Sequence, residues 1–558
     1  MNLKIKIIVC LICILLVNIT TVNSSTHLKM DNENYNLTNI NTFVDVDIVD
    51  IFDGIGIDVI IKNNGNIDIE NILLEIEIDD NTILLPKQYE ISYLTAGDST
   101  SIHITIFGFN IGLIRDFSKI SMILRNVESV ILEGQITASI IGPIVSIISI
   151  YFTNDGNDEG YILYCPMWST TTYIITKEGE VAHTWKNSIY QDSQSTYLLE
   201  NGNLVRASLV AASSFTAGGY QGRIEIFDWN DTRIWNYEYS TYDYCSHHDI
   251  QPLTNGNILI IAWERFTKNE AINAGRNPNS LGTYLWSDYI IEVQPIGNSD
   301  GVIVWEWHAW DHLIQDYDQT RENYGIVENH PELIDINSGS TRTDWLHTNS
   351  IDYNPELDQI LLSIHNFNEI WIIDHSTTIE EAASNMGGNS GKGGDILYRW
   401  GNPQSYGAGE ASDQKYFGQH GAAWVKSDYL GEGNILIFNN GAGRSERYST
   451  VDEIIPPVDE NGFYDHTENE PYLPEEQIWI FSTEYPQDMY SPITSNVQRL
   501  PNGNTLICAS NKGHFLEVTN EKNVVWDYMN PYPVGFTNKG VARIQWYSKD
   551  YPGLNYLT

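Results

Sequence analysis

The sequence predicts an all-β protein: an N-terminal immunoglobulin-like β-sandwich followed by a six-bladed β-propeller. Three observations carry this. An Asn-Gly-Asn turn followed by a short apolar strand recurs along the chain, alternating strands that end on a tryptophan recur after it, and helical periodicity is nearly absent.

The turn stands at Asn201-Gly202-Asn203, Asn255-Gly256-Asn257 and Asn502-Gly503-Asn504, with a worn copy at Gly431-Glu432-Gly433-Asn434. Asn-Gly supplies the positive φ angles of a tight hairpin turn at little steric cost. The strand pairs behind these turns reach Trp185, Trp235, Trp305, Trp400 and Trp526, and a divergent copy surrounds Trp479. About six such units between residue 150 and the C-terminus give the six blades; paired β-sandwiches are the alternative, but a sandwich gives no reason for repetition.

In chain order, residues 1–24 read as a secretory signal: Lys4 and Lys6, an apolar run from Ile7 to Val17, then small residues around Ser24. Export to the medium or cell surface follows, with membrane attachment only if this segment is not cleaved. Residues 26–148 form the sandwich, with Ile72, Leu74, Ile76 and Ile78 lining one strand face, and GIDVIIKNNGNIDIENILLEIEID read as two strands joined by a turn. ISYLTAGDSTSIHITIFG reads as a further pair, and the uncharged stretch from Ile136 to Phe152 reads as closing strands and a linker. Residues 149–558 form the propeller. The formal charge of −43 argues against a nucleic-acid partner, because phosphate binding needs a basic face. Cys10 and Cys13 leave with a cleaved signal, and Cys165, Cys245 and Cys508 admit one bridge at most.

The stretch Asp344–Asp374 places polar residues at the start of a hydrophobic sheet. His347 and Asn349, two apart, face the same way in a strand, and His365 ends the next strand. Aligning the repeats puts His248 two residues before Ile250, Asn349 two before Ile351, and His420 two before Ala422. Equivalent positions of propeller blades converge on the central channel, so His248, His347, Asn349 and His420 are expected to meet there. A single strand histidine is usually structural; several in one register across different blades point to function.

These residues also resemble a family, the bacterial-type arylsulfotransferases, through His247-His248-Asp249, DWLHTNSI at 344–351, RWGNP at 399–403, GQHG at 418–421 and NILIFNNG at 434–441. The resemblance implies a sandwich before a six-bladed propeller, and sulfuryl transfer from an aryl sulfate to a phenol without a nucleotide donor or other cofactor. It implies a sulfohistidine on His420, with His248, His347 and Asn349 around it. One position departs: where the family pattern has a catalytic arginine, this chain has His365.

The chemistry is reasonable on the residues themselves. A neutral imidazole can attack sulfur and split one hard displacement into two. Donors around the sulfuryl oxygens then stabilise the spreading charge, as in phosphoryl transfer. His347 or His248 could move the phenolic proton, Asn349 could donate to a sulfuryl oxygen, and a protonated His365 or Arg444 could supply positive charge. A non-catalytic ligand-binding or adhesive propeller is the competing class. His308 and His312 would suit a metal-dependent hydrolase, although no zinc spacing is present and no metal is assigned. GGNSGKGG at 387–394 lacks the Walker pattern. A homodimer is compatible with the sequence.

Overall fold

The computed structural model describes residues 46–78, 83–109, 118–126, 130–153, 160–210, 213–533 and 539–557. The expected signal segment, with Cys10 and Cys13, lies outside them. Among the described residues the architecture is all-β with a β-propeller arrangement, and the few helices are short.

Five four-stranded antiparallel sheets stand separately. The first joins Gly160–Pro166, Thr172–Ile175 and Val181–Trp185 to the C-terminal strand Val541–Ser548. The second runs from Asp192–Leu198 to Arg233–Glu238, and the third from Tyr244–Pro252 to Asp300–His308. The fourth runs from Thr348–Asn354 to Tyr398–Trp400, and the fifth from His420–Trp424 to Trp479–Phe481. Four more strands, Asn496–Arg499 to Val524–Met529, follow the same antiparallel order but continue into the N-terminal sheet, where Trp526 pairs with Tyr151.

The Asn-Gly-Asn motifs make one turn three times. Leu199, Leu253 and Leu500 donate their N–H to Asn203, Asn257 and Asn504 carbonyls at 2.8–2.9 Å. Gly202, Gly256 and Gly503 take φ of +82°, +88° and +87°, a region open to glycine and costly for other residues. In two copies both asparagine amides also reach a carboxylate on the third strand, Glu292 or Glu517.

The recurring tryptophans join the sheets. Trp185 donates its indole N–H to the Asp228 carbonyl at 2.9 Å, and Trp235 to that of Asp300 at 2.9 Å. Trp305 reaches Thr377 Oγ1 at 3.1 Å, Trp400 the Pro474 carbonyl at 2.7 Å and Trp479 that of Asn520 at 2.9 Å. Trp526 reaches back to the Lys177 carbonyl at 2.7 Å, so the chain of contacts returns to the first sheet. Each indole is buried, burying a large apolar ring while pairing its one donor.

In the N-terminal region Ile72, Leu74 and Ile76 are buried on one face, with Ile78 packed beside them, as the alternation predicts. The connections differ from the expectation. Val46–Asn63 does not pair with the following Ile69–Ile78 but with Ser99–Phe109, and Gln88–Leu94 pairs with Ile69–Ile78. Buried Asn63 explains the crossing: its amide donates to the Ile67 and Leu94 carbonyls at 2.8 and 3.1 Å, and its Oδ1 accepts from Gly65 N–H. The uncharged stretch is indeed strand, Val130–Gly142 and Ile144–Thr153. Cys165, Cys245 and Cys508 are all buried, and no disulfide joins any two of them.

Trp526→Phe should remove one of the two donors to the buried Lys177 carbonyl, the other being Ser149 Oγ at 2.8 Å, and lower stability by about 0.5–1.5 kcal/mol, read as a lower urea midpoint at constant slope. An unchanged midpoint would show that the indole contact is dispensable there.

Candidate active site

Each register-equivalent position falls at an irregularity in the first strand of its sheet. Pairing shifts between Ser246 and Ile250, between Thr348 and Ser350, and between His420 and Ala423. A bulge breaks the alternation of side chains and re-aims one of them. His248 and His347 accordingly take φ of +54° and +57°, uncommon for residues with a side chain, and Gly421 takes +65°. Side chains tie the first strands together: Ile351 N–H donates to Asp249 Oδ2 at 3.1 Å, and Ala422 N–H to Ser350 Oγ at 3.0 Å.

The outcome is a continuous row of imidazoles. Ring centroids lie 4.3 Å apart for His248 and His347, 5.1 Å for His347 and His365, and 5.3 Å for His365 and His420. These gaps are about one strand spacing. Asn349 joins them through its Nδ2, which donates to the Gln419 carbonyl at 2.7 Å. One of its amide hydrogens is thereby committed, whereas its buried Oδ1 has no hydrogen-bond partner among the described residues. Arg444 does not join them. Its guanidinium donates to the Tyr448 carbonyl and Thr450 Oγ1 and lies over the rings of Phe417 and Tyr448.

The proton on His420 can be assigned from its partners. Asn440 Nδ2 donates to the Ser491 and Thr494 carbonyls at 2.7 and 2.8 Å, which turns Oδ1 toward His420 Nδ1 at 2.9 Å. The Gly418 carbonyl lies 3.1 Å from the same nitrogen. Both neighbours only accept, so Nδ1 carries the hydrogen and Nε2 keeps its lone pair. Similarly, Asn366 donates to the Asp344 and Trp345 carbonyls and presents Oδ1 to His365 Nδ1 at 2.9 Å. His365 Nε2 is then an acceptor, and it packs where a Cβ on Gly418 would stand 3.0 Å away.

Charge is unevenly distributed over the row. Burial opposes protonation of His347, but Asp344, hydrogen-bonded to its Nδ1, and then Asp288 raise its pKa above the ordinary value. Burial lowers His365 to about 4, helped by the charge of His347. Burial also pushes His248 and His420 well below their ordinary value, with His347 the next cause for His248 and His365 the next for His420. His347 is thus the ring of the row whose protonation its surroundings favour. The expected role of His365 as a stand-in cation draws no support from this distribution, because burial and then the neighbouring His347 both oppose its protonation.

Sequence reasoning missed several participants. Asp344 and Asn440 lie within quoted motifs, yet spacing gave no sign that they fix two histidines. Asp288, in another strand, donates nothing to a pattern but accepts the Thr348 N–H at 2.6 Å. Arg543, on the C-terminal strand, holds buried Asp249 at 2.5 Å and Tyr197 at 3.1 Å, and no repeat signal marks it. His312 is not available to a metal: its Nδ1 meets Asp395 and its Nε2 the Ala382 carbonyl, both at 2.8 Å. His308 meets Glu264 at 3.0 Å.

Fold and site together define a β-propeller with a histidine cluster built at the bulged first strands of neighbouring sheets, with His365 added from the turn after a second strand. Residues 151–542 match the family model of the arylsulfotransferases (ASST), and the chain belongs to that family. A curated relative, arylsulfate sulfotransferase AssT of Escherichia coli O6:H1 (strain CFT073), is 26% identical over 186 residues, 31% of this chain and 29% of the relative. The match thus spans under a third of that relative's length. Among solved structures, a Bacteroides caccae protein of unknown function covers 70% of this chain and 99% of its own at 11% identity and TM-score 0.38. The Pseudomonas aeruginosa periplasmic gluconolactonase PpgL covers 70% and 99% at 9% identity and TM-score 0.34. At these scores neither likeness carries an argument.

Histidine NMR titration should find His347 with the highest pKa of the row and His365 near 4. Asp344→Asn should lower the pKa of His347, since the carboxylate favouring the cation is lost. Titration of His365 before His347 on acidification would overturn this order.

Proposed function

We propose that the protein transfers a sulfuryl group from an aryl sulfate to a phenolic acceptor, with His420 as the covalent carrier. The observation that carries the reading is the pairing of opposite protonation states in one row: His420 neutral with a free Nε2 lone pair, and His347 favoured as a cation. Family membership supplies the reaction class.

In the first half, His420 Nε2 attacks sulfur, the N–S bond forms and the S–O bond to the aryl group breaks. The charge growing on the imidazole is stabilised by the two acceptors on its Nδ1–H, Asn440 Oδ1 and the Gly418 carbonyl. His347 stabilises the charge leaving on the phenolate and gives up its Nε2 proton to it, while Asp344 keeps the ring oriented. In the second half, the acceptor oxygen attacks sulfur, the N–S bond breaks, and His248 takes the phenolic proton. Asn349 Oδ1 is suited to accept a hydrogen bond from an incoming hydroxyl.

Around this site we read six blades, the sixth being the sheet from Asn496 to Met529, supported by the ring of indole contacts. The strands from Val46 to Thr153 are read as the immunoglobulin-like sandwich. Export through residues 1–24 completes the reading. No described helix is long and apolar enough to cross a membrane. A non-catalytic binding propeller is favoured by one observation, the neutral His365 in place of a permanent cation.

Incubation with 4-nitrophenyl sulfate should add one sulfuryl group to His420, seen by mass spectrometry, with ping-pong kinetics. His420→Ala should lose at least about 10³-fold in kcat/KM; transfer at the parent rate would reject the nucleophile. Because the raised pKa of His347 favours a cation at low pH, release of a poor leaving group should decline as pH rises through that pKa. Asp344→Asn should move the decline to lower pH, and His365→Ala should leave it in place. Binding of phenols without turnover would favour the binding module.

A further inference from the structure

Behind His248 stands a second, fully buried arrangement that the transfer steps above do not use. His247 Nδ1 lies 2.8 Å from His248 Nδ1. Two such nitrogens at hydrogen-bond distance share one hydrogen, so the tautomer of His248 is dictated by that of His247. On its far side, His247 Nε2 lies 3.8 Å from Asp288 Oδ1. Both of those atoms are buried, and neither has a hydrogen-bond partner among the described residues. The His247 ring stacks on Trp263 at 3.9 Å, nearly parallel, which holds it in the plane of this line. His248, in turn, has its N–H bonded to the Gly219 carbonyl at 2.7 Å, and its ring end fits only because residue 219 has no side chain.

We propose that Asp288, His247 and His248 form a proton relay that receives the phenolic proton of the acceptor in the second half-reaction. The inference rests on the sulfuryl-transfer reading above. At the start, Asp288 is ionised, His247 carries hydrogen on Nε2 and His248 on Nδ1, so His248 Nε2 is a free base. When the acceptor oxygen bonds to sulfur and the N–S bond to His420 breaks, the phenolic proton passes to His248 Nε2. The Nδ1 hydrogen of His248 moves to His247 Nδ1, and the Nε2 hydrogen of His247 moves to Asp288 Oδ1. One proton enters and one carboxylate is neutralised; both imidazoles are neutral before and after. The last transfer requires Asp288 and His247 to close by about 1 Å, to hydrogen-bond length.

This route answers a problem posed by burial. His247 and His248 are each held well below the ordinary histidine pKa, first by burial and then by the charge of His347. Neither can store a proton as an imidazolium. A double change of tautomer needs no imidazolium and ends on an acid suited to the task. Burial, then Asp344, raises Asp288 to about 8, against the opposing Thr348 N–H and His347. The charged and titratable groups facing the relay are thus Asp344, His347 and, through His248, His365 and His420. His247 and Asp288 are positioning and proton-holding residues, since neither touches substrate.

The two half-reactions can be timed separately. 4-Nitrophenyl sulfate expels a good leaving group and loads the enzyme without proton transfer, and phenol then unloads it. Asp288→Asn should slow unloading to phenol about 10²-fold more than it slows loading, which it affects only through the charge it lends His347. Unloading to an acceptor already ionised at the working pH, such as 4-nitrophenolate carrying a further nitro group, should be nearly unaffected. Parent unloading should rise with pH through about 8, where Asp288 becomes ionised, and Asp288→Asn should lack that rise. His247→Gln should show the same split, and Asp288→Glu should restore part of the rate to phenol. Equal slowing of both halves, or unchanged unloading to phenol, would overturn the relay while leaving His420 as carrier. A parent protein that never loads would instead overturn the transferase reading and the relay together.

Discussion

The indole contacts between successive sheets are the constraint on which the site depends. Each sheet alone has two faces to cover and an edge to protect, and a propeller solves both by packing sheets around an axis. Trp185, Trp235, Trp305, Trp400, Trp479 and Trp526 each bury a large ring and give their only donor to the neighbouring sheet. The neighbour's angle and height are therefore fixed together. Only then do the first strands stand at matched heights, and side chains such as Asp249 and Ser350 can satisfy backbone donors of the next strand. A histidine cluster drawn from separate sheets needs that precision, because a shift of one residue would turn each ring to the opposite face.

Within this frame the site manages charge by restriction. The protein carries a formal charge of −43, a field that repels anionic substrates at long range. The buried cation Arg543 does not offset this in the row, because Asp249 claims it. Positive charge is instead favoured on one imidazole, His347, beside Asp344, while burial opposes it on the neighbouring rings. Neutrality is useful for His420, since an imidazole attacks only through a free lone pair. Asn440 selects which nitrogen bears that lone pair without adding charge, a task a carboxylate would perform at the expense of favouring the imidazolium.

Much of this was legible in the sequence because repetition is. Three Asn-Gly-Asn turns and a tryptophan per unit announced the sheets, and aligning them put His248, Asn349 and His420 in one register. The contacts of Asp249 with Ile351 and Ser350 with Ala422 follow that register. What escaped notice has no period. Asp344, Asn440 and Asp288 act through single contacts whose direction depends on a bulge, a flipped amide or a neighbouring strand. In the N-terminal region the strands were readable from alternation but their partners were not, since a turn such as the one after Asn63 can close a hairpin or carry the chain to a more distant strand. The environment of His365 was hidden for a related reason: residue type sets an intrinsic pKa, and burial beside His347 lowers it.

The lowered pKa of His365 bears on what a histidine does at the position where the resemblance implies an arginine. At the 5.1 Å between the rings of His347 and His365, two unit charges would repel by about 3 kcal/mol at an effective dielectric of 20. This corresponds to about two pKa units. A permanent cation at 365 would therefore press His347 toward neutrality, opposing Asp344. A neutral ring at 365 leaves His347 free to hold the charge. In the proposed transfer, this makes one titratable residue, His347, both the proton donor and the electrostatic partner of the sulfuryl group.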